Sequence, residues 1–145
     1  MTEQISILII DDDRMVRQIL QSTLSRKGFD VHTAEDGASG IDLAQKQDVD
    51  VILLDWMMPG MNGMEVLRLL KHNEKTKHTA VFMLTGKEGE RDIAQAMSGG
   101  SDDYIVKPFN TSEIDKTIRN KLNKIRDANP DKKKASLTNF FSKNS

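Results

Sequence analysis

Three carboxylates at Asp11, Asp12 and Asp13, a fourth at Asp55, a hydroxyl at Thr85 and an amine at Lys107 share one circumstance: each follows a short, largely apolar run. Ile5 to Ile10 precede the acidic triplet, Val51-Ile52-Leu53-Leu54 precede Asp55, Thr79 to Leu84 precede Thr85, and Tyr104-Ile105-Val106 precede Lys107. Singly, an Asp in such a place is an ordinary turn former or helix cap. Gathered together, two or three carboxylates repel one another, which is tolerable only if a cation is bound or a proton is taken up. An oxygen-only donor set favours a hard ion such as Mg²⁺, which takes few protein carboxylates and keeps water and substrate oxygens. A Lys adds a point charge for phosphate and a Thr hydroxyl adds a hydrogen bond. With one carboxylate left free, these are the parts that phosphoryl transfer to an Asp requires.

What gathers them is the fold. Apolar runs without alternation suit strands covered on both faces, which is the pattern of a parallel sheet. The carboxyl ends of such strands lie along one edge, where open α/β sheets place their ligands. After Asp55 the stretch Trp56 to Gly63, broken by Pro59 and Gly60, delivers that carboxylate onto an open loop. Between the strands lie amphipathic segments. Val16, Ile19, Leu20 and Leu24 share one helical face, and Gly28 closes the helix. Asp30 to Ala34 forms a second strand, and Asp36-Gly37 opens a helix with Ile41, Leu43 and Ala44 inward. A helix from Met64 to His72 turns Val66, Leu67 and Leu70 inward. Gly89 to Met97 offers only Ile93, Ala94, Ala96 and Met97 before Gly99-Gly100, and so thin an apolar face suits a helix that shifts. In the last helix Asn110 and Glu113 are spaced as a capping box, Phe109 and Ile114 as a hydrophobic staple, and Ile114, Ile118, Leu122 and Ile125 as the inward stripe. Five strand-helix units in strict alternation predict an α/β, doubly wound parallel sheet with helices on both faces, because each right-handed crossover packs its helix on the sheet.

Composition excludes several classes. A chain of 145 residues with 37% hydrophobic and 30% charged residues fits one soluble domain with a polar end. A net charge of −1 provides no global field for nucleic acid, and the lack of Cys rules out disulfides, thiolate catalysis and cysteine-bound metal. Residues 1–4 carry no basic region and the apolar run stops at Ile10, so neither a signal peptide nor a membrane span is expected, in keeping with a reducing cytoplasm. Residues 127–145 hold two acids and four lysines, a balance of +2 that leaves −3 for residues 1–126. Their polarity predicts disorder, although Lys132-Lys133-Lys134 suits an acidic partner and Leu137, Phe140 and Phe141 suit docking. His32, His72 and His78 are dispersed among polar residues and read as surface positions.

Ile-Ile-Asp-Asp-Asp at residues 9–13, Leu-Leu-Asp-Trp-Met-Met-Pro-Gly-Met-Asn-Gly at 53–63, Leu-Thr-Gly at 84–86 and Tyr-Ile-Val-Lys-Pro-Phe at 104–109 resemble the response-regulator receiver domain of two-component signalling. The resemblance spans residues 5–126. It implies a flavodoxin-like (βα)5 fold with strand order 2-1-3-4-5, a receiver domain over residues 1–126, and a cis bond between Lys107 and Pro108. By the same likeness Asp55 is the phosphoacceptor, and Asp11 and Asp12 with Asp55 and the backbone carbonyl of Met57 hold Mg²⁺. Thr85 is then the hydroxyl that swings toward the phosphoryl group, Lys107 the cation that pairs with it, and Tyr104 the aromatic whose rotamer follows Thr85. Implied partners are a histidine kinase or histidine phosphotransfer protein and a protein output partner on the surface of the fourth helix, fifth strand and fifth helix. Phosphorylation-dependent homodimerisation is also compatible, as is a receiver that forms part of a longer regulator. Asp13 has no role in this pattern, and Trp56 reads equally as a lid on the site or a packed side chain. Met57 and Lys87 flank the path of an attacking water, and Met57 has no group to position one, so slow loss of the phosphoryl group is expected. The rival reading, a haloacid-dehalogenase-like phosphatase with Asp11 as nucleophile, has Met15 against it and no room for a cap domain. A receiver fold that only binds is disfavoured because all five chemical positions are filled.

Overall fold

The computed structural model describes residues 4–86 and 90–128, with the backbone alone at 90–92. Five strands, β1 (Ser6–Ile10), β2 (Asp30–Ala34), β3 (Val51–Asp55), β4 (Ala80–Thr85) and β5 (Asp103–Val106), alternate with α1 (Arg14–Arg26), α2 (Gly37–Lys46), α3 (Gly63–Lys71), α4 (Glu90–Ser98) and α5 (Ile114–Ala128). The strands form one sheet in the order β2-β1-β3-β4-β5, all pairs parallel, as the resemblance implies. Every residue of β1, β3 and β4 is buried, which is why their sequences do not alternate. Successive side chains serve opposite faces: Ile7 and Ile9 join Leu20 and Leu24 of α1 and Ile118 and Leu122 of α5, whereas Leu8 and Ile10 join Ala44 of α2, Val66 and Leu67 of α3 and Ala96 of α4.

Several local details differ from the sequence reading. Ile19 is 43% exposed and Thr23 is buried in its stead, because the stripe of α1 runs through Leu20, Thr23 and Leu24 and leaves Ile19 at its edge. Gly28, at φ +95°, ends α1 as expected, with Phe29 N–H donating to the Leu24 carbonyl at 3.1 Å. In α2, Ile41 and Leu43 are only partly buried, and the helix approaches the sheet through Gly40, where a β-carbon would collide with Ile10. β4 lies one residue later than predicted and takes in Thr85. The capping box before α5 does not form: Asn110 Oδ1 accepts from Ser112 N–H at 2.9 Å and from its hydroxyl at 2.7 Å, while Glu113 N–H donates to the Asn110 carbonyl. Residues 111–113 make a tight turn of their own, so the helix starts at Ile114 and the Asn110 side chain is used up two residues on. Phe109 still packs on the cluster that contains Ile114. The helix runs through Ala128, two residues past the expected boundary. Of the predicted tail, residues 129–145, with Lys132-Lys133-Lys134, Leu137, Phe140 and Phe141, lie outside the described residues, as do Lys87 and Gly89.

Candidate functional site

Four of the predicted positions reach the same edge of the sheet through their strands. Asp11 is the residue after β1, Asp55 ends β3, Thr85 ends β4 and Lys107 follows β5. β1 and β3 are neighbours at the point where strand order reverses, with Ile10 opposite Leu54, so Asp11 and Asp55 come together. Asp11 N–H continues the pairing by donating to the Ala34 carbonyl at 3.2 Å, and Trp56 N–H donates to the Leu84 carbonyl at 3.0 Å. Lys107 N–H donates to the Thr85 carbonyl at 2.6 Å, and the Lys107–Pro108 bond is cis, as the resemblance implies.

The side chains meet across the strands. Lys107 Nζ lies 3.0 Å from Asp11 Oδ2 and 3.2 Å from Asp55 Oδ1, so one ammonium bridges two carboxylates that are fully buried at Asp11 and 5% exposed at Asp55. Asp12 is exposed, yet it offers a carboxylate oxygen that falls with those of Asp11 and Asp55 inside a 4.8 Å group. One Lys charge against three carboxylates leaves the group negative. Burial is the largest influence on Asp55 and the Asp11 charge adds to it; Lys107 and the Met57 N–H, 3.4 Å from Asp55 Oδ1, oppose them, and the carboxyl is pushed up to about 6. Burial alone would lower Lys107, but its hydrogen bonds and charge contacts with Asp11 and Asp55 outweigh that and raise it. An all-oxygen, partly buried and charge-deficient pocket suits a hard divalent cation such as Mg²⁺.

The supporting residues were harder to see in sequence. Asp13 caps α1, its Oδ1 accepting from Met15 N–H at 2.9 Å and Val16 N–H at 3.4 Å, which supplies a structural role for the third acid. Asp11 Oδ1 accepts from Asp13 N–H at 2.9 Å, and Arg17 Nη1 donates to the Asp11 carbonyl at 2.8 Å. Arg17 was missed; its only signal is its position one turn past the cap. Trp56 packs on the core cluster of α2 and α3, which favours the packed side chain over the lid. Met58 is buried, whereas Met57 is 75% exposed at the mouth of the site. Thr85 is buried, and its hydroxyl reaches the Gly86 carbonyl only at 3.4 Å. Tyr104 is opposite Met83, two positions from Thr85 and on the same face of the sheet; Lys121 Nζ is 5.5 Å from its ring centroid. The histidines lie away from this edge: His32 is 3.2 Å from Asp30, and His72 and His78 are exposed.

This arrangement can be set beside known proteins. Residues 7–119 match the response regulator receiver domain. The chain belongs to that family. The Vibrio cholerae chemotaxis protein CheY4 is 32% identical, with a TM-score of 0.77 over 81% of this chain and 98% of that one. A CheY-like receiver domain protein from Methanospirillum hungatei is 25% identical, with a TM-score of 0.78 over 87% of this chain and 99% of that one. NtrX from Brucella abortus shares the fold at 23% identity and a TM-score of 0.78; the match covers 86% of this chain but 28% of that longer one. Receiver domains are the phosphorylation switches of two-component response regulators, and they bind Mg²⁺ at an acidic pocket of the kind the aspartate cluster forms here. Membership also disposes of the dehalogenase-like alternative, for which the fully buried Asp11, held by Lys107, is poorly placed as a nucleophile. Among the described residues, no helix is long and apolar enough to cross a membrane.

Proposed function

We propose that residues 1–126 act as a cytoplasmic receiver that takes a phosphoryl group on Asp55 from a histidine kinase, a histidine phosphotransfer protein or a small acyl phosphate. The observation that carries this reading is the Lys107 ammonium shared between Asp11 and Asp55. It leaves the second Asp55 oxygen without a donor among the described residues and near the mouth of the site. That oxygen attacks phosphorus, the bond from phosphorus to the donor nitrogen or acyl oxygen breaks, and the donor leaves with the electron pair. Asp11, Asp12, Asp55 and the Met57 carbonyl would hold Mg²⁺, which supplies positive charge for the phosphoryl oxygens when bound. Lys107 gives up its contact with Asp55 and pairs with the new phosphoryl oxygens. The Thr85 hydroxyl, whose contact among the described residues is a long one to the Gly86 carbonyl, turns toward them, and Tyr104 on the same face follows. The surface of α4, β5 and α5 then presents the change to a protein partner or to a second copy of the chain. A receiver within a longer regulator would use the same steps.

The test is intact-mass measurement after incubation with acetyl phosphate. One phosphoryl addition is expected with Mg²⁺, none with chelator and none in Asp55→Asn. Undiminished labelling of Asp55→Asn would sink the assignment.

A further inference from the structure

Both ends of α3 are fixed by contacts that its apolar stripe does not require. At its start, a β-carbon on Gly63 would lie 2.6 Å from the Asp55 carbonyl oxygen and 2.9 Å from Trp56 Cα, and Gly63 N–H donates to the Trp56 carbonyl at 3.1 Å. The helix therefore begins in contact with the backbone that carries Asp55. At its end, Lys71 Nζ donates to Asp102 Oδ2 at 2.9 Å and to the Thr79 carbonyl at 3.0 Å, with both charged side chains 14% exposed. Asp102 is itself clamped to β4, since Oδ2 accepts Val81 N–H at 2.8 Å and Asp102 N–H donates to the Val81 carbonyl at 2.9 Å.

The face between these ends rests on the corner that joins α4 to β5. A β-carbon on Gly99 would lie 2.8 Å from Met64 Cε and 3.5 Å from Leu67 Cδ2, and one on Gly100 would lie 3.3 Å from Lys71 Cγ. Met64, Leu67 and Lys71 recur at spacings of three and four, so a single face of α3 is seated on two glycines that leave it room. α4 buries little else among the residues described. Among its described side chains only Ala96 is buried, and Met97 is 44% exposed.

We propose that α3 is a second conduit from Asp55 to the α4 and β5 surface, parallel to the one through Thr85 and Tyr104, with Lys71 and Asp102 as its positioning residues. The proposal rests on Asp55 being the phosphoacceptor. A phosphoryl group there loads the loop of residues 56–62, and Gly63 has no slack against that loop. A helix of nine residues is stiff over about 13 Å and moves as a body. Its displacement arrives at Gly99 to Asp102, where packed faces exchange one seating for another rather than deform. α4, seated at this corner and with Ala96 alone buried among its described side chains, pivots about it.

The experiment is hydrogen exchange on the full chain with Mg²⁺, with and without beryllofluoride as phosphoryl mimic, in wild type, Asp55→Asn, Thr85→Ala, Lys71→Met and Met64→Ala. For coupling of ordinary strength, the mimic shifts exchange at residues 96–103 by about 2- to 30-fold. That shift persists in part in Thr85→Ala and is reduced in Lys71→Met. Met64→Ala leaves the ion pair in place and is expected to weaken the shift as well, so the proposal stays open to refutation if Lys71→Met does not fold. Complete loss of the shift in Thr85→Ala, or full retention in both α3 variants, overturns the second conduit while leaving the phosphoacceptor reading intact. A wild type that responds nowhere, or an Asp55→Asn variant that responds fully, overturns the phosphoacceptor reading and this proposal with it.

Discussion

Removing the charge at Asp55 should stabilise the metal-free protein, and only above mildly acidic pH. In the folded chain Asp55 titrates near 6, chiefly through burial and the nearby Asp11 charge, against about 3.9 for an unfolded Asp. Between those values the native state holds a proton that the unfolded state has released, so stability falls as pH rises from about 4 to about 6 and then levels off. The loss from this group is on the order of 3 kcal/mol at pH 7. Other carboxylates impose their own slopes, so the informative quantity is the difference between wild type and Asp55→Asn, measured by urea unfolding in chelator from pH 4.5 to 7.5. That difference should be small at the acid end and grow to roughly 3 kcal/mol in favour of the variant by pH 7. Saturating Mg²⁺ at pH 7 should shrink or reverse it. A difference that does not change with pH would refute the reasoning, since it would mean that Lys107 already compensates the buried charge.

Three further outcomes are expected. Mg²⁺ at a hundredfold excess over its dissociation constant should add about 2.7 kcal/mol to native stability, visible as a raised Tm, and Asp12→Ala should lessen the rise; an equal rise in the variant counts against Asp12 as a ligand. Lys107→Ala leaves Asp11 and Asp55 facing each other without a shared cation, so Asp55 labelling by acetyl phosphate should slow while the Mg²⁺ requirement stays; unchanged labelling kinetics would remove Lys107 from the reaction. Phosphorylated Asp55 should lose its phosphoryl group faster in Met57→Asn than in wild type, because an amide at the mouth of the site can hold the water that a thioether cannot; equal decay, followed by intact mass over time, means that Met57 does not set the rate.

The sheet was legible because its strands are buried on both sides. Unbroken runs such as Val51 to Leu54 have no other ready use in a chain of this size, and each is followed by a polar residue that marks the edge. Placing the polar ends on one edge then required only the rule of parallel pairing. What could not be read were contacts between residues distant in sequence and unmarked by any local pattern. Lys71 and Asp102 are separated by 31 positions, and nothing near either announces the pair. The sharing of Lys107 between Asp11 and Asp55 was similarly hidden, because strand order places a residue at an edge but does not say which oxygen its side chain reaches. Local errors had local causes: Ile19 lies at the margin of a helical stripe, and Asn110 had a nearer partner in Ser112 than the box allows.

The helices are unequally secured, and this bears on which part can respond. α1 and α5 bury Leu20 and Leu24, and Ile114, Ile118 and Leu122, against β1, β3 and β4, and Arg119 adds a contact 4.2 Å over the Phe29 ring. On the other face α2 and α3 bury Ala44, Val66, Leu67 and Leu70, whereas α4, among its described side chains, buries Ala96. If Asp55 is the phosphoacceptor, as proposed, the added charge is expected to displace the element whose described restoring contacts are fewest. That is α4, which lies downstream of Thr85 in the chain and against α3 in space. Its thin apolar face is thus the same feature at both levels: a weak helix signal in the sequence and, among the described side chains, a single buried one, Ala96.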